Sequence, residues 1–418
     1  MTDVAMGDHK KGVALLGYSA QMMESLDKGG YEFVMVVPPD FEAIMKEHGI
    51  PHVLWDFDKL NDRSHELCEK LKELGVNVAV PLYEETVEWA GALNAEFRSD
   101  PRLFNRYYLF RDKAMMKRKA QMSGIRVGVF EEVENIEEVR KFFNRVNKAM
   151  LKLDDEEKCF IHLKPTSAAG SVGHKLIRGE DDIVGLQDDI FPCLLESHLD
   201  GQEFSCEIFI HKGKIQFLNI TEYIRLGHNN FVPASPSLEA HRDLIRVAAE
   251  QLIEAFGIEY GMIHPEFFIT PDNKISFGEV AARIPGGHIF DLIAKAYDFD
   301  PYLGFVMCAN PKTPEAELKA FFPKDASDRK RYAGCVMVYP HHKMITGLNV
   351  PDQLLEHPYY EKHNLFLPAN PKVADIEGFG THYGTVFFKG DDDAKMRELL
   401  VEYEEFDFYV CEPAESKC

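Results

Sequence analysis

The sequence predicts an α/β fold joined to α+β domains, and three observations lead to that prediction. Short apolar runs alternate with helix-like segments between residues 12 and 97, which is typical of a parallel sheet with helices on its faces. Turn-forming residues 270–274 separate two apolar runs and predict a β-hairpin. A new apolar pattern begins near Arg331 and indicates a small α+β domain at the end of the chain.

The N-terminal region contains four predicted strand–helix units. The strands are predicted at 12–17, 32–37, 52–55 and 77–81, and the helices from 19 and at 41–48, 62–74 and 84–97. The turn after the first strand, Gly17-Tyr18-Ser19-Ala20, lacks the three-glycine fingerprint of dinucleotide-binding domains. The sequence therefore argues against a nicotinamide cofactor and favours a substrate-binding or structural role for this domain.

Composition and charge indicate a globular protein that does not bind nucleic acid or membranes. The chain has 418 residues, of which 45% are hydrophobic and 28% charged, with a formal net charge of −22. Strong acidity argues against non-specific binding to nucleic acid or to anionic lipid. The eight cysteines are scattered and residues 1–11 lack an apolar signal core, so we expect a cytoplasmic location.

The predicted hairpin carries two carboxylates that favour a metal site. Glu266 and Glu279 lie on its two strands, so antiparallel pairing would bring them together. Paired carboxylates are costly unless a cation lies between them, and Mg²⁺ binds through one or two carboxylates and phosphate oxygens. Arg283 follows four residues later and offers a planar fork for a phosphate or carboxylate. The alternative is an ordinary hairpin with a surface salt bridge.

Two lysines and a run of small residues favour phosphate binding. Lys113 opens a basic helix at 114–122, and Lys164 ends an apolar strand at 159–164. Small residues that let backbone amides approach phosphate oxygens follow this strand, among them Ala168, Gly170, Ser171 and Gly173. The segment is not a Walker loop, because no G-K-[ST] closes it. A solvated helix face and a plain strand–turn–strand hairpin are the alternatives.

The segment from Glu196 to Glu203 indicates a connection between two lobes. It includes Leu199 and leads into predicted strands at 204–211 and 215–222. One backbone edge followed by one acid is a common way to hold adenine and ribose. A simple hinge between domains is the alternative. A long amphipathic helix follows at 238–256 and ends at Gly257.

The order and spacing of these segments resemble the ATP-grasp superfamily of carboxylate–amine ligases. The resemblance extends from the N-terminal domain to about residue 300. It implies an N-terminal parallel α/β (pre-ATP-grasp) domain, a two-lobed ATP-grasp domain and a small α+β C-terminal domain. The expected boundaries are 1–110 for the N-terminal domain, 111–205 for the small lobe, 206–325 for the large lobe and 326–418 for the C-terminal domain.

The resemblance also implies a role for each matched residue. Lys113, Lys164 and the loop at 168–173 would bind the phosphates of ATP. The linker at Glu196 and Leu199 would bind adenine, and Glu203 the ribose. Glu266 and Glu279 would hold Mg²⁺, as two ions, with Mn²⁺ as a possible substitute. Arg283 would hold an acyl phosphate formed from the substrate carboxylate.

One departure bears on the subfamily. Many family members carry Asn two residues after the second glutamate, whereas this chain has Ala281. The run from Glu279 to Arg283 followed by Pro-Gly-Gly is closer to the L-amino-acid ligases, which form dipeptides. Gly287 and its neighbour Gly286 suggest room for a substrate side chain.

Three further residues are candidates for substrate binding. His288 directly follows the Pro-Gly-Gly segment, and Arg225 and His228 lie in a loop after a predicted strand. Arg225 and His228 would bind a substrate carboxylate or deprotonate the amine. For His228, an ordinary histidine in a surface loop is the alternative.

The resemblance predicts an ATP-dependent ligase. Its partners would be a small-molecule carboxylate, expected to be an amino acid, and an amine, and its products an amide or dipeptide with ADP and phosphate. A biotin-carboxylase-like or purine-pathway ligase is one alternative, and a non-catalytic nucleotide-binding regulator is another. A homodimer is a reasonable expectation, since closed twofold assemblies are the commonest.

Overall fold

The computed structural model describes residues 7–58, 60, 63–149, 159–166, 173–324, 326–339, 345–367 and 382–411. Its N-terminal part is a four-stranded parallel sheet in the order β3-β2-β1-β4, with helices between the strands. Apolar side chains on both faces of the strands are buried, which explains the continuous apolar runs in the sequence. The predicted parallel sheet is therefore confirmed. Its elements are β1 Val13–Leu16, α1 Ala20–Lys28, β2 Phe33–Val37, α2 Glu42–Glu47, β3 His52–Leu54, α3 Ser64–Glu73, β4 Val78–Pro81 and α4 Val87–Arg98.

A small antiparallel sheet follows two connecting helices. Its strand order is β5-β8-β6-β7, and α7 packs on it through buried Phe142 and Phe143. The helix α7 is strongly amphipathic, so one face enters the core and the charged face meets water. The elements are α5 Arg102–Tyr108, α6 Lys113–Met122, β5 Phe130–Val133, α7 Ile136–Ala149, β6 Ile161–Pro165, β7 Lys175–Ile177, α8 Glu180–Val184 and β8 Cys193–Ser197.

The largest sheet has eight strands in the order β13-β12-β9-β10-β11-β14-β17-β16. Strands β14, β17 and β16 come from the region beyond residue 326, so this region extends the sheet of the predicted large lobe. A separate two-stranded sheet pairs β15 with β18. The elements are β9 Gln202–His211, β10 Lys214–Arg225, β11 Asn229–Val232, α9 Pro236–Glu239, α10 Arg242–Phe256, β12 Tyr260–Ile269, β13 Ile275–Ala281, α11 Ile289–Tyr297, α12 Pro301–Ala309, α13 Glu315–Phe321, β14 Tyr332–Met337, β15 Ile345–Leu348, α14 Asp352–Leu355, β16 Tyr360–Leu365, β17 Gly384–Gly390, α15 Asp393–Glu404 and β18 Tyr409–Cys411.

Alternation along β9, β12 and β13 gives the large sheet one apolar and one polar side near its edge. Phe204, Phe267 and Phe277 pack with α10 on the apolar side. The opposite side carries carboxylates at alternate positions of β9, which include Glu203 and Glu207. The sheet thus presents a charged surface over a rigid apolar core.

A single apolar core joins the N-terminal sheet to the large lobe. Leu15 and Val80 from β1 and β4 belong to the same cluster as Phe305 and Val306 of α12. This packing places the carboxyl end of β4 beside the charged surface. Among the helices of the described ranges, none has the length and apolar character needed to cross a bilayer.

Candidate active site

The two glutamates of the predicted hairpin are direct partners. β12 and β13 are antiparallel, and Glu266 lies opposite Glu279 in their register. The turn between the strands contains Asn273 in the left-handed conformation, which asparagine tolerates better than most residues. The hairpin is therefore confirmed, and the two carboxylates share one side of the sheet.

Lys113 meets this carboxylate pair from the start of α6. The helix begins at the N-cap Asp112, whose Oδ1 accepts a hydrogen bond from the Met115 backbone N–H at 2.8 Å. The Lys113 ammonium donates to Oε2 of Glu279. Burial alone would raise the pKa of Glu279, but the charges of Lys113 and Lys164 outweigh it and hold that pKa well below its usual range.

Lys117 is a site residue that the sequence analysis did not select. Its Nζ lies 2.7 Å from Oε1 of Glu196 and donates to the Gly278 carbonyl oxygen at 2.7 Å. Lys164 lies 2.9 Å from the other oxygen of Glu196. Lys117 follows Lys113 by four residues and shares its helix face, a spacing that could have identified it. The Glu196 side chain therefore holds two lysines, whereas the prediction concerned its backbone.

Glu203 lies at the start of β9, on the same side of the sheet as Glu207. Burial, followed by the negative charge of Glu266, raises the pKa of Glu203 to about 8. Without bound cations and ligands, the surroundings of Glu203 therefore favour its neutral form, because the carboxyl group is buried and another carboxylate lies nearby. Its predicted contact with a ribose remains a prediction.

A buried network lies beneath Glu266. Glu207 is fully buried and accepts hydrogen bonds from the Ser205 and Thr221 hydroxyls at 2.9 and 2.7 Å and from Nδ2 of Asn219 at 2.6 Å. Its Oε1 also lies 3.0 Å from Nδ1 of His264.

The other side of the His264 ring faces Glu266, which is a predicted metal ligand. Its Nε2 lies 3.8 Å from Oε1 of Glu266. Burial would lower the pKa of His264, but hydrogen bonds to Glu207 and Glu266 outweigh it and raise that pKa to about 9. The sequence analysis missed both His264 and Glu207; the alternation of Glu207 with Glu203 along one strand was the available signal.

Arg283 is tied to the N-terminal domain. Its Nε donates to Oε2 of Glu84 at 2.9 Å, and its Nη1 donates to the Ile284 carbonyl oxygen at 2.9 Å. The second oxygen of Glu84 lies 2.9 Å from Nη1 of Arg111. Glu84 follows β4, and the carboxyl ends of parallel strands are where α/β sheets bind ligands. That rule could have identified Glu84.

The residues predicted to bind the substrate lie in two different parts of the structure. His288 lies between Oδ2 of Asp291, at 3.1 Å from Nδ1, and Oγ1 of Thr385, at 3.0 Å from Nε2. Its ring also neighbours that of His382. His288 thus contacts helix α11 of the predicted large lobe and strand β17 of the C-terminal region.

His228 and Arg225 lie at the end of β10. The His228 ring packs against Tyr339, which in turn neighbours His382, so His228 joins the surroundings of His288. Arg225 instead donates to Oε1 of Glu404 on α15 at 2.6 Å and is mostly exposed. Glu404 belongs to the C-terminal region, and the substrate-binding role of Arg225 remains a prediction.

Gly287 has a backbone conformation that favours glycine. Its φ is +59°, and a Cβ there would collide with Nδ2 of Asn230, which donates to the Gly287 carbonyl oxygen at 2.6 Å. Gly286 faces open space. Gly287 therefore serves a tight turn, and its predicted place in the substrate pocket remains a prediction.

The predicted phosphate loop is described only at its end. Ala168, Gly170 and Ser171 lie outside the described residues. Gly173 has a φ of +71° and lies against Pro165. Leu199 lies in the linker between β8 and β9, as predicted.

A chain of three histidines connects the segment just after the predicted phosphate loop with the linker between β8 and β9. Nδ1 of His162 lies 2.9 Å from His174, and Nε2 lies 3.1 Å from His198. Burial, together with the charge of Lys164, lowers the pKa of His162 to about 3. The three rings therefore form a neutral hydrogen-bonded chain beside Lys164.

The donor set fits a hard divalent cation and a polyphosphate. Glu266 and Glu279 supply facing oxygen ligands of the kind that Mg²⁺ prefers. Lys113 and Lys164 lie on the same side and supply positive charge for phosphate oxygens. A metal bound there would screen the carboxylates and polarise a phosphoryl group.

Comparisons with known proteins identify the domain. Residues 186–291 match the ATP-grasp domain family, a range that includes the linker, both glutamates and Arg283. An L-arginine-specific L-amino acid ligase of Bacillus subtilis is 22% identical over 284 residues, which are 63% of this chain and 66% of that protein. The chain thus covers just under two thirds of the length of this curated relative.

Solved structures show the same fold over nearly the whole chain. An L-amino acid ligase from Bacillus licheniformis superposes with a TM-score of 0.73 at 14% identity, covering 96% of this chain and 99% of that one. A carboxyaminoimidazole ribonucleotide synthase from Aspergillus clavatus, complexed with ATP, gives 0.69 at 15% identity, covering 95% and 99%. These likenesses establish the fold, and the predicted resemblance to the ATP-grasp superfamily is confirmed.

Proposed function

We propose that this chain, which contains an ATP-grasp domain, is an ATP-dependent ligase joining a carboxylate to an amine, with an amino acid as the carboxylate. The observation that carries the proposal is the convergence of Glu266, Glu279 and Lys113 on one side of the hairpin, inside the matched domain. Arg283 and Glu84 border the same region. This combination of facing carboxylates and lysines suits the binding of Mg·ATP.

The proposed reaction has two steps. An oxygen of the substrate carboxylate attacks the γ-phosphorus of ATP, the bond to the bridging oxygen breaks, and ADP leaves. Mg²⁺, as two ions held by Glu266 and Glu279, supplies charge stabilisation when bound, and Mn²⁺ is an alternative. Lys113 and Lys164 bind the phosphates, while Glu203 and the linker hold the nucleoside. The amine then attacks the acyl carbon, loses a proton, and displaces phosphate.

Arg283 is the residue that we assign to the acyl phosphate. Its guanidinium fork suits a phosphate or a tetrahedral oxyanion, and the Glu84 contact fixes its orientation before substrate binds. An acyl phosphate that is exposed to water is hydrolysed, so the site has to exclude water during the reaction. We assign that task to the loop at 168–173.

The relatives favour an amino acid as the carboxylate substrate. The named curated relative and a solved structure with a TM-score of 0.73 are both L-amino acid ligases. The product would then be a dipeptide or amino-acid amide. A purine-pathway ligase is the second candidate, because a carboxyaminoimidazole ribonucleotide synthase shares the fold with a TM-score of 0.69.

The test is phosphate release from Mg·ATP across a matrix of L-amino acids, offered singly and in pairs, with products identified by mass. We expect one or more pairs to release phosphate and to give a mass equal to their sum minus water. The Glu279→Gln variant is the control and should release none. Release from bicarbonate with a ribonucleotide, and from no amino acid, would favour the purine-pathway candidate. ATP binding without turnover of any substrate would favour a regulator.

A further inference from the structure

We propose that His264 is a third protein ligand of the metal site, binding the cation through Nε2 beside Glu266. The inference rests on the proposed function, since it concerns the metal of the ATP site. It adds a nitrogen donor to a site that the sequence analysis built from carboxylates alone.

The strand register places His264 on the metal side of the hairpin. His264 and Glu266 are two residues apart on β12, so their side chains leave the same side of the sheet. Glu266 lies opposite Glu279, and His264 lies opposite Ala281. The side chain of Ala281, opposite the imidazole, is only a methyl group.

The distance between the two candidate ligand atoms suits one shared cation. Nε2 of His264 lies 3.8 Å from Oε1 of Glu266. Two donors that each lie about 2.1 Å from one ion are separated by roughly 3 to 4 Å. Little movement would therefore be needed for these two atoms to bind the same ion, whereas Glu279, which is paired with Lys113, would have to move toward them to join it.

Glu207 completes the arrangement that metal-bound histidines generally have. A metal-binding imidazole almost always donates its second N–H to a carboxylate or carbonyl, which fixes the ring and raises its basicity. Nδ1 of His264 lies 3.0 Å from Oε1 of Glu207. Three further hydrogen bonds, from Ser205, Asn219 and Thr221, hold that carboxylate in place.

The burial of Glu207 is a further reason to assign it a task. Its side chain is 0% exposed, and a buried carboxylate is costly even when it is hydrogen-bonded. The imidazole ring of His264 lies between this buried carboxylate and that of Glu266, with Nδ1 toward Glu207 and Nε2 toward Glu266.

A nitrogen ligand changes the expected metal preference. Imidazole favours later first-row ions, whereas Mg²⁺ prefers oxygen ligands. We therefore expect the site to bind Mn²⁺ more tightly than Mg²⁺, and to lose that preference when His264 is replaced.

The experiment is pulsed electron paramagnetic resonance on the full-length protein with Mn²⁺ alone, without nucleotide. The wild-type protein should show the ¹⁴N coupling of a directly bound imidazole. His264→Gln should lose that coupling and bind Mn²⁺ about 10- to 100-fold more weakly, with a smaller loss for Mg²⁺. His211→Gln is the matched control, since His211 is a buried histidine of β9 that faces the Cys308 carbonyl oxygen at 3.3 Å. It should leave the coupling intact.

The outcomes separate this inference from the proposed function. Tight Mn²⁺ binding without imidazole coupling in the wild-type protein would overturn the role of His264 and leave the ligase proposal standing. Coupling that persists in folded His264→Gln would also overturn it. The exposed group of His65, Glu69 and Glu96 could also bind Mn²⁺, so all spectra are recorded in a His65→Gln background. Should His264→Gln not fold, His264→Asn takes its place. A ligase that fails the amino-acid and ribonucleotide matrix, yet shows the coupling, would refute the proposed function and retain the metal ligand.

Discussion

Glu84 determines where the guanidinium of Arg283 lies. It reaches Arg283 from the N-terminal sheet and is held on its other side by Arg111. The Arg283 side chain is 22% exposed and that of Glu84 is 16% exposed, so water screens this pair only in part. The contact therefore fixes the orientation of the Arg283 guanidinium before any ligand arrives.

Replacing Glu84 by Gln is expected to lower kcat/KM for the carboxylate substrate by about tenfold, because a charge-assisted hydrogen bond to Arg283 becomes a neutral one. The KM for ATP should stay near that of the wild type. Glu88→Gln is the matched control, since Glu88 lies 3.6 Å from Arg111 and is the next acidic partner of that arginine. Steady-state kinetics with both substrates varied would check this, and equal effects of the two variants would contradict it.

Glu203 makes the stability of the metal-free protein depend on pH. Its pKa is raised to about 8 in the folded state, whereas an unfolded glutamate titrates near 4.5. The folded state thus holds a proton that the unfolded state has lost between these values, so stability falls as pH rises from about 4.5 to about 8. Above about pH 8 the ionisation of Glu203 no longer makes the stability change with pH.

Glu203→Gln should remove this part of the pH dependence. The free energy of unfolding would be measured by urea titration at about pH 5.5 and about pH 8.5, with metal and nucleotide removed. The variant should lose less stability than the wild type across this interval. A wild-type protein that loses no more stability than the variant would show that Glu203 titrates normally.

The helix α6 connects a local capping interaction with the chemistry of the site. Asp112 caps the helix, and Lys113 and Lys117 extend from its first two turns to Glu279 and Glu196. A loosened first turn would therefore displace Lys113, the proposed phosphate-binding lysine. The cap thus stabilises the helix and also positions Lys113 beside Glu279.

Asp112→Ala is expected to destabilise the protein by about 1 kcal/mol and to raise the KM for ATP. Asp392→Ala is the matched control, because Asp392 caps α15 in the same way, accepting from the Lys395 backbone N–H at 2.9 Å. That variant should lose similar stability with an unchanged KM for ATP. Thermal unfolding and ATP-dependent kinetics would check the pair. An unchanged KM for ATP in Asp112→Ala would contradict the proposed link between the cap and nucleotide binding.

The hairpin shows what local sequence can predict at the level of elements. Turn formers at 270–274 and flanking apolar runs predicted antiparallel strands. The register of the turn alone would place Glu266 opposite Gly278, and a β-bulge between Glu266 and Phe267 shifts its partner to Glu279. The helix predicted at 238–256 is also present as α10, which begins at Arg242 and ends at Phe256, directly before Gly257. These features depend on neighbours in sequence, so patterns of turns and periodicity contain the information.

At the scale of the whole molecule, features that join distant segments were missed. Glu84 and Arg283 are 199 positions apart, and no local pattern connects them. The continuation of the large sheet into β14, β17 and β16 was likewise not predicted, because strand order depends on long-range packing. His264 and Glu207 are similar, since their significance appears only when β9 and β12 pair.

The whole arrangement leads to one chemical claim, the transfer of a carboxylate oxygen to phosphate. The parallel N-terminal sheet, the hairpin and α6 bring Glu84, Glu279 and Lys113 to one place. Such a site suits activation of a carboxylate by phosphorylation. The oxygen that attacks the γ-phosphorus would leave with the released phosphate.

The most direct test uses the substrate pair found in the amino-acid matrix, with both carboxylate oxygens of the acyl substrate labelled with ¹⁸O. Mass analysis of the released phosphate should find one ¹⁸O atom for each amide bond formed. Amide formation with unlabelled phosphate would contradict an acyl phosphate and require another route of activation.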